Sequence, residues 1–423
     1  MACSARGDDH PGRRSSLLLS LNSQETPELR SLHLSAVMAG LIAVLVSAAS
    51  NLPLFVQMFG AVNFTPEQAV SSLASMYVSL AVVGAGLSLV FRAPIIVGWN
   101  TAGLALLIAE GPRLTPGETV GALLLAALVL TLLGLTGLFD WMARHLPAPL
   151  AAALLAGVLL PFVLRGFAAV PIAPAILMPM LAAYLMGRAF APRWAVPLAL
   201  LVGLGGAVLT GAGPSAAASL PVHLTFIRPS FSLQAFVAVT LPSVLLAVAS
   251  QHLPGLAILS ASGYRQVPPR PLVALTGLAG LLAAPFGSIT LNLGAITAAI
   301  CTGPDAHPDP AKRYVAGVAC AAGYLVLGLN AGVLLGLVSV LPVPLLQGLA
   351  GLALLGPLLL GREGTMVAEP RWREAALLTL VLTASGLSWL GLSAPLWGLG
   401  LGWGLAALRG LREGRATPEG TGA

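Results

Sequence analysis

The chain has 423 residues, of which 57% are hydrophobic and only 9% are charged. Soluble domains carry about 25% charged residues, so this composition excludes an ordinary soluble domain and indicates a polytopic membrane protein. The net charge of +6 does not predict a nucleic-acid partner, because the basic residues are scattered over the ends of apolar runs. The three cysteines, Cys3, Cys301 and Cys320, form no spaced set, so neither a disulfide framework nor a zinc site is indicated.

The two ends of the chain are polar. Residues 1–33 are interpreted as a cytoplasmic tail, because their apolar run Ser16–Leu21 is too short for a signal-peptide core. Residues 411–423 are interpreted as a second cytoplasmic tail. The membrane-embedded part is therefore expected between residues 34 and 410.

Apolar runs, cut at charges and at Gly/Pro clusters, predict an all-α protein with about fourteen transmembrane segments. A polar, proline-containing connection over residues 213–233 divides them into two sets of seven, 34–212 and 234–410. The first set lies at 34–58, 66–91, 94–109, 117–139, 148–166, 171–190 and 194–212, and the second at 234–261, 269–285, 286–302, 313–338, 343–361, 373–390 and 393–410.

The distribution of basic residues predicts the orientation of these segments. With the N-terminus inside and fourteen crossings, eighteen Lys and Arg residues fall on the inner side. Only Arg113, Arg165 and Arg228 fall on the outer side. This positive-inside bias predicts that both termini are cytoplasmic.

The two halves also repeat in sequence. Leu146–Leu160 and Leu341–Leu355 agree at seven of fifteen positions, and two shorter echoes keep the same order and a similar offset. Seven crossings is an odd number, so the second copy must be inverted relative to the first. Transporters built from inverted repeats bind their substrate near the midplane, where the repeats meet.

The tenth segment cannot be one plain spanning helix. Pro285 and Gly287 interrupt it, and Asn292 is predicted to be the N-cap of a helix that ends before Gly303. That helix is near half of the ~20 residues needed to cross a bilayer. Irregular backbone at membrane depth survives only against protein or a water-filled cavity, so this break predicts a substrate site.

The third segment carries a matching break. Pro94–Gly98 is predicted to be extended, and Trp99, Asn100 and Thr101 open a second short helix. Both helices would direct their N-termini at the centre, where free N–H groups and about half a positive charge suit an anion. The alternative is that both segments are merely kinked, packed helices.

Polar residues elsewhere in the spans are further candidates. Gln251 and His252 precede a Pro-Gly pair in the eighth segment, and His252 is the predicted proton carrier because ionisable residues inside a span are functional candidates. The alternative is a neutral histidine bonded to a backbone carbonyl. Asn51 is expected to line the same cavity, or else to form a helix–helix hydrogen bond. Trp99 and Phe286 are predicted to contact an aromatic ring, with apolar packing as the alternative.

A metal-like set, Asp305, His307 and Asp309, follows the tenth segment. Its Pro-rich spacing is more typical of a solvated turn, so no metal and no cofactor is predicted.

Three stretches of the chain resemble a known family. They are LPAPLAAALLAGVLL at 146–160, ASQHLPGLAILSASGY at 249–264 and APFGSITLNLGAITAAICTGPDAHPDPAKR at 284–313. They resemble the benzoate–proton symporter family (BenE type), and the resemblance covers nearly all of residues 33–410. It implies uptake of benzoate or a similar aromatic acid with a proton across the inner membrane.

The resemblance also implies a fold similar to that of uracil/xanthine permeases and sulfate-type anion transporters. In that fold segments 1–4 and 8–11 form a core domain, and segments 5–7 and 12–14 form a gate domain. The core moves against the gate, and the gate often mediates homodimer contacts. Besides the transported anion and the proton, the lipid bilayer is the other expected partner of the chain.

One departure from the nucleobase permeases bears on the substrate. Those permeases carry a glutamate at each of two site positions, where this chain has Gln251 and Leu291. The two carboxylates would hydrogen-bond a nucleobase, and they would repel an anion. Their absence here removes both effects. The departure therefore favours an aromatic carboxylate over a purine or pyrimidine.

The resulting hypothesis is a proton-coupled importer of a benzoate-like anion. The carboxylate would meet the helix N-termini at Thr101 and Gly294, oriented by Asn100, Asn292 and Gln251. A carrier of another organic or inorganic anion, or of a nucleobase, is the alternative, and a positive charge in the cavity would favour an inorganic or dicarboxylate anion. An intramembrane enzyme is disfavoured, because His252, the only histidine well inside a predicted span, has no nearby acid in sequence. A passive channel is disfavoured by the two inverted sets of seven segments with broken helices.

Overall fold

The computed structural model describes residues 27–145, 147–211, 220–366, 370–387, 389 and 392–415, and it is mostly helical. Residues 1–26 and 416–423 of the predicted tails, and 213–219 of the predicted connection, lie outside the described residues. The inner ends of both predicted tails, residues 27–33 and 411–415, are helical.

The first half of the chain contains eight helices and one strand in the part that the structure describes. They are α1 (Pro27–Ala61), α2 (Pro66–Phe91), β1 (Val97–Trp99), α3 (Thr101–Glu110), α4 (Pro116–Thr136), α5 (Leu138–His145), α6 (Ala148–Ala168), α7 (Pro174–Phe190) and α8 (Ala195–Leu209). Thr65 and Thr115 each form a capping box, so α2 and α4 begin at the proline that follows the capping threonine.

The second half begins after an extended stretch that ends at Ser232. Its described elements are α9 (Leu233–Ala261), α10 (Pro269–Ala283), β2 (Leu291–Leu293), α11 (Ala295–Thr302), α12 (Tyr314–Leu329), α13 (Ala331–Ser339), α14 (Val343–Met366), α15 (Pro370–Ala384) and α16 (Ala394–Arg415). Each predicted segment therefore contains at least one helix, although several boundaries differ.

Among the described residues, six helices are long and apolar enough to cross a membrane. They are Leu34–Ala61, Pro66–Phe91, Pro116–Thr136, Ala148–Ala168, Leu233–Ala261 and Pro269–Phe286. The bent pair α12–α13 would make a seventh if it is one span. The chain is thus a multi-pass membrane protein, while the count of fourteen crossings and the inverted repeat stay predictions.

Two predicted segments differ in shape from the structure. The segment 313–338 bends by 74° at Asn330, whose amide side chain donates to the Val326 carbonyl and closes the end of α12. The segment 117–139 ends earlier, at Thr136, because Gly137 has a φ of +74° and turns the chain into the unpredicted helix α5. Asparagine and glycine both end helices readily, but the apolar runs around both positions predict unbroken segments.

The two broken segments meet at the centre of the molecule. β1 and β2 pair antiparallel, with Gly98 opposite Asn292 and Trp99 opposite Leu291. The short helices α3 and α11 follow directly, so the predicted extended-piece-plus-half-helix form of segments 3 and 10 is observed. The predicted N-cap at Asn292 is wrong, because strand pairing keeps Asn292 extended and α11 begins only after Gly294.

An extended arm, residues 220–231, crosses the helices that surround this sheet. Its Ile227 N–H donates to the Pro285 carbonyl at 2.8 Å, and its Ser230 N–H donates to the Gly117 carbonyl at 2.9 Å. The arm thereby ties the start of α4 to the break that precedes β2. It passes so close to α13 that only a glycine fits at Gly332.

We expect Gly332→Ala to destabilise the protein, because a Cβ at this position would overlap the backbone carbonyl oxygen of Leu220. Overpacking of this kind costs about 1–3 kcal/mol. Gly86→Ala is the matched control, since Gly86 is also helical and a Cβ there meets nothing within 4 Å. The melting temperature in detergent should fall for Gly332→Ala and stay level or rise for Gly86→Ala. Equal melting temperatures would show that the arm yields to the added methyl group.

Candidate functional site

A cavity of about 320 Å³ lies where the broken segments face α6, α7, α8 and α14. Its wall is mostly apolar, and its polar lining residues come from α1, α3, α7, α9 and α11. They are Ser47, Ser50, Asn51, Thr101, Tyr184, Arg188, Ser250, Gln251 and Thr297. A largely apolar pocket with a few convergent polar groups is typical of a small-molecule site.

The N-termini of both short helices open onto this cavity. Thr101 at the start of α3 and Gly294 before α11 are both lining residues. Gly294 offers no capping side chain, so the first N–H groups of α11 have no partner within the helix. At α3 the Asn100 side chain accepts only from the Gly103 N–H, at 3.0 Å. The site thus presents the N-terminal ends of two helices, each with a partial positive charge.

Asn51 links α1 to the start of α3. Its Oδ1 accepts from Thr101 Oγ1 at 3.2 Å, and its Nδ2 donates to the Ser47 carbonyl at 3.0 Å. Asn51 therefore lines the cavity, and it also forms the hydrogen bond between two helices that was the alternative. This bond fixes the Thr101 hydroxyl at the mouth of α3.

Trp99 lines the cavity and is held by three other aromatic rings. Phe55, Tyr77 and Tyr324 contact it edge-on, with centroid separations of 5.4, 5.8 and 6.0 Å. Tyr324 is itself fixed by donating to Ser47 Oγ at 3.1 Å. An indole held on several sides in this way forms a rigid apolar surface for a ligand.

Asn100 is fully buried and does not line the cavity. Besides capping α3, its Nδ2 donates to the Ser243 carbonyl of α9 at 3.2 Å. Asn100 therefore positions the N-terminus of α3 against α9, and its predicted direct contact with a substrate has no support from this placement.

Gln251 and His252 lie in a π-helical turn, Val248–His252, within α9. The turn ends at Leu253, whose N–H bonds to the Val248 carbonyl five residues back, immediately before Pro254. Proline cannot donate and its ring clashes with the carbonyl four residues earlier, which accounts for the widened turn. Such turns are frequent at functional sites. Here the turn presents Gln251 to the cavity, whereas His252 is fully buried behind it.

His252 contacts the strand that follows the second break. Its ring meets Phe139 edge-on at 6.0 Å, and its Nδ1 has no hydrogen-bond partner among the described residues. With the Asn292 amide nitrogen facing it, Nε2 accepts a hydrogen bond at 3.2 Å. In that orientation the Asn292 oxygen accepts from the Asn100 N–H, also at 3.2 Å. Buried histidine, strand β2 and the cap of α3 are thus joined in one chain of hydrogen bonds.

Phe286 lies outside the cavity. Its ring packs edge-on against Phe226 of the arm at 6.3 Å, and its carbonyl accepts from Ser71 Oγ at 3.1 Å. These contacts match the alternative of apolar packing, and they give the predicted contact with an aromatic substrate no support.

Arg188 is a lining residue that was not predicted from the sequence, where it counts only as one of the eighteen basic residues of the inner side. It lies near the C-terminus of α7 and lines the cavity, one turn after the buried Tyr184. Among the described lining residues it carries the only charged side chain. The cavity therefore contains a positive charge, the feature that would favour an inorganic or dicarboxylate anion. The i, i+4 spacing of Tyr184 and Arg188 places both on one helix face, but only the packing shows what that face meets.

The metal-like set forms a structured turn after α11. His307 Nδ1 accepts from the Asp309 N–H at 2.9 Å, and Arg313 donates to the carbonyls of His307 and Thr302 at 2.7 and 2.8 Å. Arg313 thereby satisfies the carbonyl of Thr302, the last residue of α11, and that of His307 in the turn that follows. The segment is a turn, as predicted, but His307 and Arg313 are buried in it rather than solvated.

The sequence matches one protein family over most of its length. The family described as benzoate membrane transport protein matches residues 30–408. The chain is 37% identical over 370 residues to the benzoate membrane transport protein of Acinetobacter baylyi, covering 87% of this chain and 93% of the relative. It is 36% identical over 366 residues to the inner membrane protein YdcO of Escherichia coli, covering 86% and 93%.

Solved structures resemble the fold at low sequence identity. The transmembrane domain of the cyanobacterial bicarbonate transporter BicA matches with a TM-score of 0.56 and 13% identity, over 88% of this chain and 97% of that one. The murine anion transporter Slc26a9 in its inward-facing state matches with a TM-score of 0.63 and 14% identity, over 97% and 74%.

The family and the structural neighbours are membrane transporters, so this chain is a transporter rather than an enzyme. The resemblance drawn from residues 146–160, 249–264 and 284–313 is confirmed by the family match. The chain belongs to the benzoate membrane transport protein family.

Proposed function

We propose that this protein takes up benzoate, or a similar aromatic carboxylate, together with a proton. The observation that carries the proposal is the meeting of two helix N-termini at one cavity, at Thr101 and Gly294. No acidic side chain is found among the described residues that line it. A carboxylate bound there would accept N–H hydrogen bonds and balance the partial positive charges of both helix ends.

The ring of the substrate would lie against the apolar wall. Trp99 offers a rigid aromatic surface, and Leu155, Leu159 and Ile300 add aliphatic contacts. Gln251 and Thr297 line the cavity beside them and supply hydrogen-bonding groups. In this proposal Asn100 and Asn292 position the helix ends, while Asn51 orients the Thr101 hydroxyl.

His252 would carry or sense the proton through Asn292. In a neutral imidazole with its proton on Nδ1, Nε2 can accept from the Asn292 nitrogen. Once protonated, both ring nitrogens donate, so the Asn292 amide must turn and present its oxygen instead. The Asn100 N–H then keeps only its 3.3 Å bond to the Thr290 carbonyl. Protonation of His252 would thus change the hydrogen bonds of Asn100, the residue that caps α3.

The proposal extends to the architecture of the transport cycle. Fourteen crossings in two inverted sets of seven, 34–212 and 234–410, would place the paired strands on the axis that relates the sets. Antiparallel pairing of β1 with β2 is the arrangement that such an axis requires. Segments 1–4 and 8–11 would form a core that moves against a gate of segments 5–7 and 12–14. The cavity has lining residues from both groups.

The cellular setting is proposed from the family and the charge distribution. The protein would lie in the inner membrane with both termini cytoplasmic. A homodimer would form through the gate domain. Orientation is measured by accessibility of cysteines introduced in the tails, and assembly by the mass of the purified protein in detergent.

An anion of higher charge is the second candidate substrate. Arg188 favours it, because a full positive charge in the cavity suits an inorganic anion or a dicarboxylate better than two partial charges alone do. Bicarbonate, sulfate and small dicarboxylates therefore belong in any substrate test.

We expect radiolabelled benzoate to accumulate in proteoliposomes that carry an inward proton gradient, and to equilibrate without accumulation when the gradient is absent. A gradient of one pH unit corresponds to about 1.4 kcal/mol, so coupling to one proton supports at most about tenfold accumulation. Protein-free liposomes, and vesicles with a proton ionophore, control for passive entry of the neutral acid.

Competition by unlabelled anions defines the substrate class. Strong inhibition by benzoate analogues, with none by bicarbonate or uracil, supports the aromatic carboxylate. Transport of bicarbonate or a dicarboxylate without benzoate uptake would replace the first candidate by the second. Benzoate uptake that does not depend on the proton gradient would contradict proton coupling but would support benzoate as the substrate.

A further inference from the structure

The C-terminal end of α7 forms the part of the cavity wall that carries a full charge. Arg188 has an exposed side chain there, whereas Tyr184, one turn earlier, is buried. Pro192 and Val196 continue the same wall. The helix N-termini at Thr101 and Gly294 are lining residues contributed by other elements of the same cavity.

Arg188 forms no ion pair with a carboxylate among the described residues, unlike Arg113, Arg270 and Arg409. No described carboxylate therefore neutralises its charge. A cavity with apolar walls and one uncompensated charge focuses the electrostatic potential and raises the local concentration of ions of opposite sign. The exposed guanidinium of Arg188 can attract an anion from solution. The more buried helix N-termini at Thr101 and Gly294 can then hold it in the cavity.

We propose that Arg188 is an anion-capture residue that speeds entry of the carboxylate into the cavity. This inference rests on the proposed function, because it takes the cavity to be the anion site. Electrostatic capture acts on the association rate and is weakened by salt, whereas contacts in the final bound state act mainly on dissociation. Kinetics at two salt concentrations therefore distinguish capture from a structural role.

The test is stopped-flow binding of benzoate to purified protein in detergent, followed by the fluorescence of Trp99 and the other tryptophans. We expect Arg188→Gln to lower the association rate about tenfold at 50 mM salt and much less at 500 mM. The dissociation rate should change less than twofold. Arg188→Lys keeps the charge and should stay within about threefold of the wild type. Arg265→Gln removes an exposed arginine outside the cavity and should behave as the wild type.

Unchanged association kinetics in Arg188→Gln, with the salt dependence intact, would overturn the proposal. A slower rate that Arg188→Lys does not restore, or that persists at high salt, would also overturn it in favour of a structural role. If the wild type binds bicarbonate or a dicarboxylate but not benzoate, the substrate proposal fails separately, and the same variants are measured with that anion. If it binds none of these anions, both proposals fail.

Discussion

His252→Gln should abolish proton-driven accumulation of benzoate while leaving downhill exchange across the membrane. Glutamine keeps a polar side chain of similar reach in the buried space beside Asn292 but cannot take up a proton at physiological pH. We therefore expect the accumulation ratio under a one-unit pH gradient to fall from as much as about tenfold to about one. Exchange of internal for external benzoate should continue, because the cavity residues are unchanged. The measurement is radiolabelled uptake and counterflow in proteoliposomes.

The matched control for this variant is His145→Gln. His145 lies at the exposed end of α5, where its Nδ1 contacts the Trp141 carbonyl at 2.8 Å, away from the cavity. The His145→Gln variant should accumulate benzoate as the wild type does. Accumulation by His252→Gln with an unchanged pH dependence would remove His252 from the coupling mechanism. Loss of both accumulation and exchange, with a normal size-exclusion profile, would show that His252 supports the cavity itself.

Gln251→Glu should nearly eliminate benzoate transport, because it places a negative charge on the cavity wall. If the new carboxylate and the bound anion lie about 8 Å apart, they repel by roughly 2 kcal/mol at an effective dielectric constant of 20, which is about a thirtyfold loss of affinity. The Gln251 side chain is partly exposed to the cavity, so a glutamate there can ionise. The loss should therefore deepen as the pH rises. Initial uptake rates over a range of benzoate concentrations and pH values measure it.

Two further variants separate charge from other effects of this substitution. Gln251→Leu removes the amide without adding a charge, so only the smaller loss of a hydrogen bond, about 0.5–1.5 kcal/mol, is expected. Gln266→Glu adds the same charge at an exposed position outside the cavity and should change little. Full benzoate transport by Gln251→Glu at high pH would place the anion away from α9. Gain of uracil transport would instead support a nucleobase-like site.

Much of the candidate site was predicted from local sequence signals. Proline and glycine near residues 94 and 285 mark both broken segments, since these residues act on the backbone within a few positions of themselves. The same reasoning failed at Asn292, because pairing with Gly98 from a distant part of the chain overrode the local capping preference. A strand ladder between residues nearly two hundred positions apart leaves no local signal at either one.

The sequence by itself determined that this is a multi-pass membrane protein of one transporter family, that segments 3 and 10 are broken, and which polar residues interrupt its spans. Only the tertiary structure decided which of these residues share a cavity. It placed Gln251 on the cavity wall and the adjacent His252 behind it, and it brought Arg188 into the site while leaving Phe286 against the arm. The physical reason is that backbone breaks depend on neighbouring residues, whereas the surroundings of a side chain depend on which distant helices pack against its face.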